Sequence, residues 1–132
     1  MTNLRKATAI AAGGVVLLGL GVTPAHAENH RTTYISGWER GHESSRWYDK
    51  NSDNIRTAVS LTTCYTDSSF SSATLKLSKA IDFAPDENRG SRTNYCNATS
   101  NWGDESAGTY YFTLTGFNGG SRLSVNSVGI NW

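Results

Sequence analysis

Apolar residues at every second position constrain this chain more than any other feature it carries. In SATLKLSKAIDF, Ala73, Leu75, Leu77, Ile81 and Phe83 fall on one side, with Lys76 and Ser78 opposite. GTYYFTLTGF repeats the pattern, setting Tyr110, Phe112 and Leu114 against Thr113 and Thr115. IRTAVSLTTCY places Ile55, Val59 and Leu61 together. A period of two belongs to a half-buried β-strand, whereas a helix needs 3.6. About five or six such strands in about 100 residues predict an all-β domain, a small antiparallel β-sandwich or a Greek-key barrel.

The final strand, RLSVNSVGINW, carries two apolar phases. Leu123 and Val125 share one, Val128, Ile130 and Trp132 the other, which predicts a bulge or bend near Ser127. NGGS, Asn118 to Ser121, tolerates positive φ and predicts a tight hairpin before it. Phe83 to Gly90 and Asn101 to Gly108 read as connecting loops from their turn residues. Trp47 and Tyr48 are expected to cap the core.

The N-terminus has the layout of an export signal. Arg5 and Lys6 precede the uncharged apolar run Ala7 to Val22, and Ala25-His26-Ala27 offers small residues at a cleavage site. The run is shorter than the roughly 20 residues a spanning helix needs. Residues 1–27 are therefore expected to be a signal peptide, and the mature protein secreted and extracellular. Removing 27 of 132 residues leaves 105, with 10 of the 12 basic residues and all 11 acidic ones. A charge this near to neutral gives no electrostatic footprint for nucleic acid or for a membrane surface. In an exported chain, Cys64 and Cys96 read as one disulfide that staples a small core.

Chemistry-bearing patterns are sparse. Asp49, Asn51 and Asp53 stand two apart, like the first ligands of a calcium loop. Such a loop also wants glycine at its sixth position and a bidentate carboxylate at its twelfth. Asn54 and Ser60 occupy those places, so a polar corner is expected and no metal or other cofactor. The imidazoles available to a catalytic triad are His30 and His42, both in a polar segment expected to be too loose to hold one. Glu39, Glu43, Asp104 and Glu105 could pair as in a glycosidase, but about 105 residues leave little room for a cleft as well. The protein is expected not to be an enzyme.

Residues 28–46 are polar and β-prone, and are expected to form an extended N-terminal arm or an edge strand ahead of a β-sandwich domain at 47–132. Asn29, His30, Arg31, Thr32, Thr33, Tyr34, Ile35 and Trp38 are the candidate partner contacts on it. Trp102, among small and acidic residues in NWGDES, is a candidate exposed contact as well. It could serve an alternative role, as the platform of a free-standing inhibitor or carbohydrate-binding module.

Several segments together resemble a known group. GWERGHESSRWYDKN (37–51), Cys64, NYCN (94–97), NWG (101–103) and GTYYFTLTGFNGGSRLSVN (108–126) look like small secreted one-disulfide proteins of filamentous soil bacteria. Among these the chain is similar to the small secreted adaptor subunit of umbrella toxin particles, which joins a toxin-bearing ring protein to a lectin subunit that engages competing cells. The resemblance implies a non-enzymatic β-domain in an extracellular hetero-complex with other secreted proteins. Its extended N-terminal segment, here about Asn29 to Trp38, would dock into a partner.

Overall fold

The computed structural model describes residues 29–132; the expected leader, 1–27, lies outside the described residues. Among the described residues the chain is all β, with no helix. Its strands are β1 (His30–Trp38), β2 (His42–Glu43), β3 (Trp47–Asp49), β4 (Thr57–Thr66), β5 (Ala73–Ala80), β6 (Glu87–Asn94), β7 (Ala98–Gly103), β8 (Gly108–Phe117) and β9 (Leu123–Asn131). They form two antiparallel sheets. The first has the order β1-β9-β4-β7, and the second β2-β8-β5-β6, with β3 also paired to β8. The fold is a sandwich of two sheets and not one closed barrel.

The alternation read from the sequence builds the core. Val59, Leu61, Val128 and Ile130 of the first sheet face Leu75, Leu77, Phe112 and Leu114 of the second, all essentially inaccessible to solvent. Burying such side chains contributes about 1.5–3 kcal/mol each. The expected phase change in β9 is present, as a register shift against β1 between Val125 and Val128. Against β4 the register runs from Leu123–Thr66 to Asn131–Ala58 without a shift. β4 changes face at the same level, with Thr63 at φ +58°. Leu61 and Cys64 both reach the interior as a result.

That bend aims Cys64 at its partner. β6 and β7 lie in different sheets, so the three residues between them, Tyr95 to Asn97, turn the chain from one sheet to the other. Cys96 and Asn97 take positive φ there. The buried Asn94 holds the corner, its amide donating to Ala98 O and Ser100 Oγ while its carbonyl accepts from Cys96 N. Cys64 and Cys96 are joined, with Cα atoms 5.9 Å apart. The disulfide thus pins a sheet-crossing corner to the first sheet.

Several expectations fail for identifiable reasons. Glu87–Gly90, read as loop, are the first half of β6, and Asn101–Gly103 are the end of β7. Both are edge strands, and β6 is exposed along most of its length, so no apolar alternation marks it. Ile81 and Phe83 lie beyond the end of β5, and Phe83 points fully into solvent at the β5–β6 turn. Ile55 precedes β4 and is half-buried. Ser78 is buried on the outer face, where Tyr111 crowds the same surface. Trp47 is buried, but Tyr48 is exposed.

NGGS is not a hairpin. β8 and β9 belong to different sheets, and Asn118–Ser121 carries the chain between them. Asp67 fastens this crossing: its carboxylate accepts from the Ser121 hydroxyl (2.7 Å) and from the backbone N–H of Ser121 (2.8 Å) and Arg122 (3.3 Å). Those bonds, the Ser121 hydroxyl first, lower the Asp67 pKa from 3.8 to about 2. A folded-state pKa below the unfolded one stabilises the fold above the unfolded value and ceases to do so as the carboxylate protonates. Asp67 therefore contributes fully above pH 3.8 and loses its contribution as the pH falls towards about 2. Urea midpoints taken from pH 5 to pH 2 should fall less steeply for Asp67→Asn; equal slopes would refute this role.

Candidate interaction surface

The polar N-terminal segment is not a free arm. It is tied down as β1, the edge strand of the first sheet, in register with β9 from Asn131–His30 to Leu123–Trp38. Asn29 and Trp132 extend the ladder by exchanging two backbone hydrogen bonds of 2.9 and 3.1 Å. Of the two forms expected for residues 28–46, an arm or an edge strand, the chain takes the second, and β1 to β3 all pair within the two sheets.

Strand geometry divides the candidate contacts into two sets. His30, Thr32 and Tyr34 point outward and are exposed, Tyr34 to 67%. Arg31, Thr33 and Ile35 point inward, and Ile35 is buried in the core. Arg31 closes the flank between the sheets. Its guanidinium donates to Ser45 Oγ at 2.7 Å and to Arg46 O at 3.1 Å, and it lies 5.7 Å over the Trp132 ring. Trp38 stacks on His42, ring centroids 4.2 Å apart, and packs against Phe112. Four of the eight proposed arm contacts, Asn29, His30, Thr32 and Tyr34, together with the neighbouring Ser36, thus remain available on the surface.

Beyond β1, the outer face of the first sheet has one chemical character. From β9 it receives Ser127, Gly129 and Asn131, and from β4 Ser60, Thr62 and Tyr65. β7 adds Thr99 and Asn101. None of the outward positions within these four strands is Asp, Glu, Lys or Arg; the exposed Arg122–Glu39 ion pair stands at one end of the face, with Arg122 also donating to Gly37 O. Its groups hold one another in place. His30 Nδ1 shares a hydrogen bond of 2.6 Å with Asn131 Oδ1, and His30 Nε2 shares one of 3.0 Å with the Thr32 hydroxyl. Ser60 and Thr99 share a hydrogen bond of 2.7 Å across the β4–β7 ladder. By contrast, Glu43, Arg46, Lys76 and Asp86 crowd the second sheet, with Arg46 lying 4.1 Å over Tyr111 and bridging Glu43 and Asp86.

Trp102 is elsewhere. It is only 7% exposed, and its indole N–H donates to Gly90 O at 2.8 Å, which closes the flank between β7 and β6. A ring so placed has no free face for a sugar or a partner. The acidic turn is likewise committed to local structure. Asp49 Oδ1 accepts from Asn51 N at 2.7 Å and Asp53 Oδ1 from Ile55 N at 2.9 Å, each spanning two residues as in an Asx turn. With its amide nitrogen turned towards Asp104, Asn51 donates to Asp104 Oδ1 at 2.8 Å. Among the described residues, no group of three or more His, Cys, Asp or Glu side chains is arranged to hold a metal ion.

Thr32, His30 and Asn131 form a hydroxyl–imidazole–amide chain, a juxtaposition that the sequence could not reveal because Asn131 is 101 residues from His30. The segment, expected to be loose, is hydrogen-bonded into the first sheet. Acyl transfer also requires donors aimed at a developing oxyanion in a site from which water is excluded. These three side chains stand on an exposed sheet face, so the arrangement can orient hydrogen bonds but is poorly placed to stabilise an oxyanion. Fold and surface together define a disulfide-bonded two-sheet β protein with an open edge strand and an uncharged outer face. No protein-family model, curated protein or solved structure matches the chain.

Proposed function

We propose that this is a secreted, non-enzymatic binding subunit that links partner proteins in an extracellular complex, of the toxin-particle kind its sequence resembles. The disulfide is compatible with an extracellular location. One observation carries the reading. β1 is a nine-residue edge strand whose far side is unpaired among the described residues. A row of open N–H and C=O groups is a template on which a partner's strand can add itself, with outward side chains such as Thr32 and Tyr34 setting specificity. The opposite flank offers less, because Trp102–Gly90, Arg92–Asn101 and the disulfide corner bind β7 to β6. The sequence-based idea of an arm docking into a partner thus becomes an ordered edge that a partner extends.

The test is affinity purification of tagged protein from the producer's culture fluid, followed by hydrogen exchange on whatever complex is recovered. A stoichiometric companion is expected, together with slowing of exchange by about tenfold or more at the β1 amides that face away from β9. Recovery of a lone monomer, or protection confined to other strands, overturns the proposal. So does hydrolysis of a p-nitrophenyl ester that disappears in His30→Ala.

A further inference from the structure

We infer that the outer face of the first sheet binds an uncharged polysaccharide, with the exposed rings of Tyr34 and Tyr65 as stacking platforms and Gly129, further along β9 between Thr32 and Ser60, marking a low point beside them. Tyr34 is shared with the partner edge proposed above, whereas Tyr65 lies on β4 away from that edge, so loss of glycan binding in Tyr65→Ala tests this assignment separately.

The absence of charge comes first. Protein surfaces ordinarily devote about a quarter to a third of their residues to Asp, Glu, Lys and Arg. On the outward positions of β1, β9, β4 and β7 there are none, although the second sheet has them in plenty. Such a face offers no counter-charge to an acidic or basic polymer, and little to a typical protein surface. What it does offer are hydroxyls, amides and one imidazole, each able to donate or accept, which matches the donors and acceptors around an uncharged sugar ring. The ordered pairs His30–Asn131, His30–Thr32 and Ser60–Thr99 reduce the entropy lost when a ligand is held.

Second come the aromatics. Tyr34 on β1 and Tyr65 on β4 are 67% and 53% exposed, and one strand, β9, lies between them. Two strand spacings, together with an offset of two to three residues along β9, place their backbones about 12–14 Å apart, the span of a short run of linked sugars. The electron-rich face of a phenol ring attracts the C–H faces of a sugar, while its hydroxyl serves the rim.

Third is Gly129, inside the central strand β9. Its backbone is not left-handed, and an added Cβ would meet only His30 Cε1 at 3.7 Å and Ser60 Cβ at 3.8 Å, ordinary contacts. Neither backbone nor packing requires glycine here, and glycine weakens a strand interior. With no side chain, Gly129 leaves the backbone open to close approach by a ligand, one of the uses to which strand glycines are put.

The experiment is depletion of the full secreted protein by insoluble cellulose and chitin and its retardation in gels containing laminarin, with anionic alginate as the charged control. At least one neutral glycan should bind and alginate should not. Tyr34→Ala and Tyr65→Ala should each weaken that binding by about tenfold. Gly129→Arg, which has room to fold, should abolish it. Should Gly129→Arg prove unfolded by circular dichroism, the two exposed tyrosine variants still decide. Failure of all three neutral glycans, equal retention by alginate, or binding unchanged in both tyrosine variants overturns the assignment.

Discussion

Gly119→Ala is expected to destabilise the folded protein by about 2–5 kcal/mol, well above the cost of an ordinary surface substitution. Gly119 sits in the β8–β9 crossing at φ +84°, a conformation that costs an L-residue roughly 1–2 kcal/mol. The larger part is steric. A Cβ at this position would lie 1.7 Å from Ser69 O and 2.3 Å from Ser69 C, both backbone atoms. No rotamer relieves such an overlap, so the crossing or the Asp67–Phe70 segment must move, at a cost of about 1–3 kcal/mol. Movement would also disturb Asn118, whose side-chain oxygen accepts from Ser71 N at 2.7 Å and Ser72 N at 3.0 Å. Urea denaturation is the measurement. A midpoint within error of wild type would mean that the two loops are not packed as described.

Loss of the disulfide is the second large effect. The bridge closes a span of 32 residues, and the chain-entropy relation gives about 3.7 kcal/mol for that length. A domain of this size has about 5–15 kcal/mol in all, so the reduced protein should keep only part of its stability. Cys64→Ser with Cys96→Ser, or treatment with reductant, should lower Tm by about 15–25 °C. The corner offers little to compensate. Cys96 and Asn97 occupy positive φ, and apart from the bridge the corner is held by Asn94 and by Asn97 Oδ1, which accepts from Thr63 N at 3.1 Å. Opening should therefore begin at the β6–β7 crossing, with faster amide exchange at Tyr95–Ala98 ahead of the β8 and β5 core. Unaltered melting in reductant would remove the bridge from any structural role.

How the sequence and the structure divide the information can be traced through particular residues. Ala73, Leu75, Leu77, Tyr110, Phe112 and Leu114 announced their strands because one face of each is buried and the other less so. The paired phases of β9 announced its bend, since a bulge must restore the apolar side to the core. β6 announced nothing: along an exposed edge, ENRGSRTN is free to be polar at nearly every position. Trp102 misled, because acidic neighbours in sequence say nothing about the Gly90 carbonyl that its indole reaches from the adjoining strand.

The candidate surface was legible only in part. The β-prone Thr32–Ile35 run pointed to an extended strand, and that strand is the edge. Which of its side chains face outward depends on its register with β9, and that register is set by contacts some hundred residues apart. The uncharged face is harder still to see, for it is assembled from four strands whose outward residues are scattered from His30 to Asn131.

Local patterning by itself determined the β class, the strands of the core, the bend near Ser127 and the pairing of the two cysteines. Periodicity encodes burial, and a single pair of cysteines admits only one bridge. Tertiary structure alone decided which strands became edges, that NGGS crosses between sheets, and that polar residues from four strands meet on one face. Those outcomes depend on which strands pair and in what register, and pairing energy is shared between segments that no short window contains.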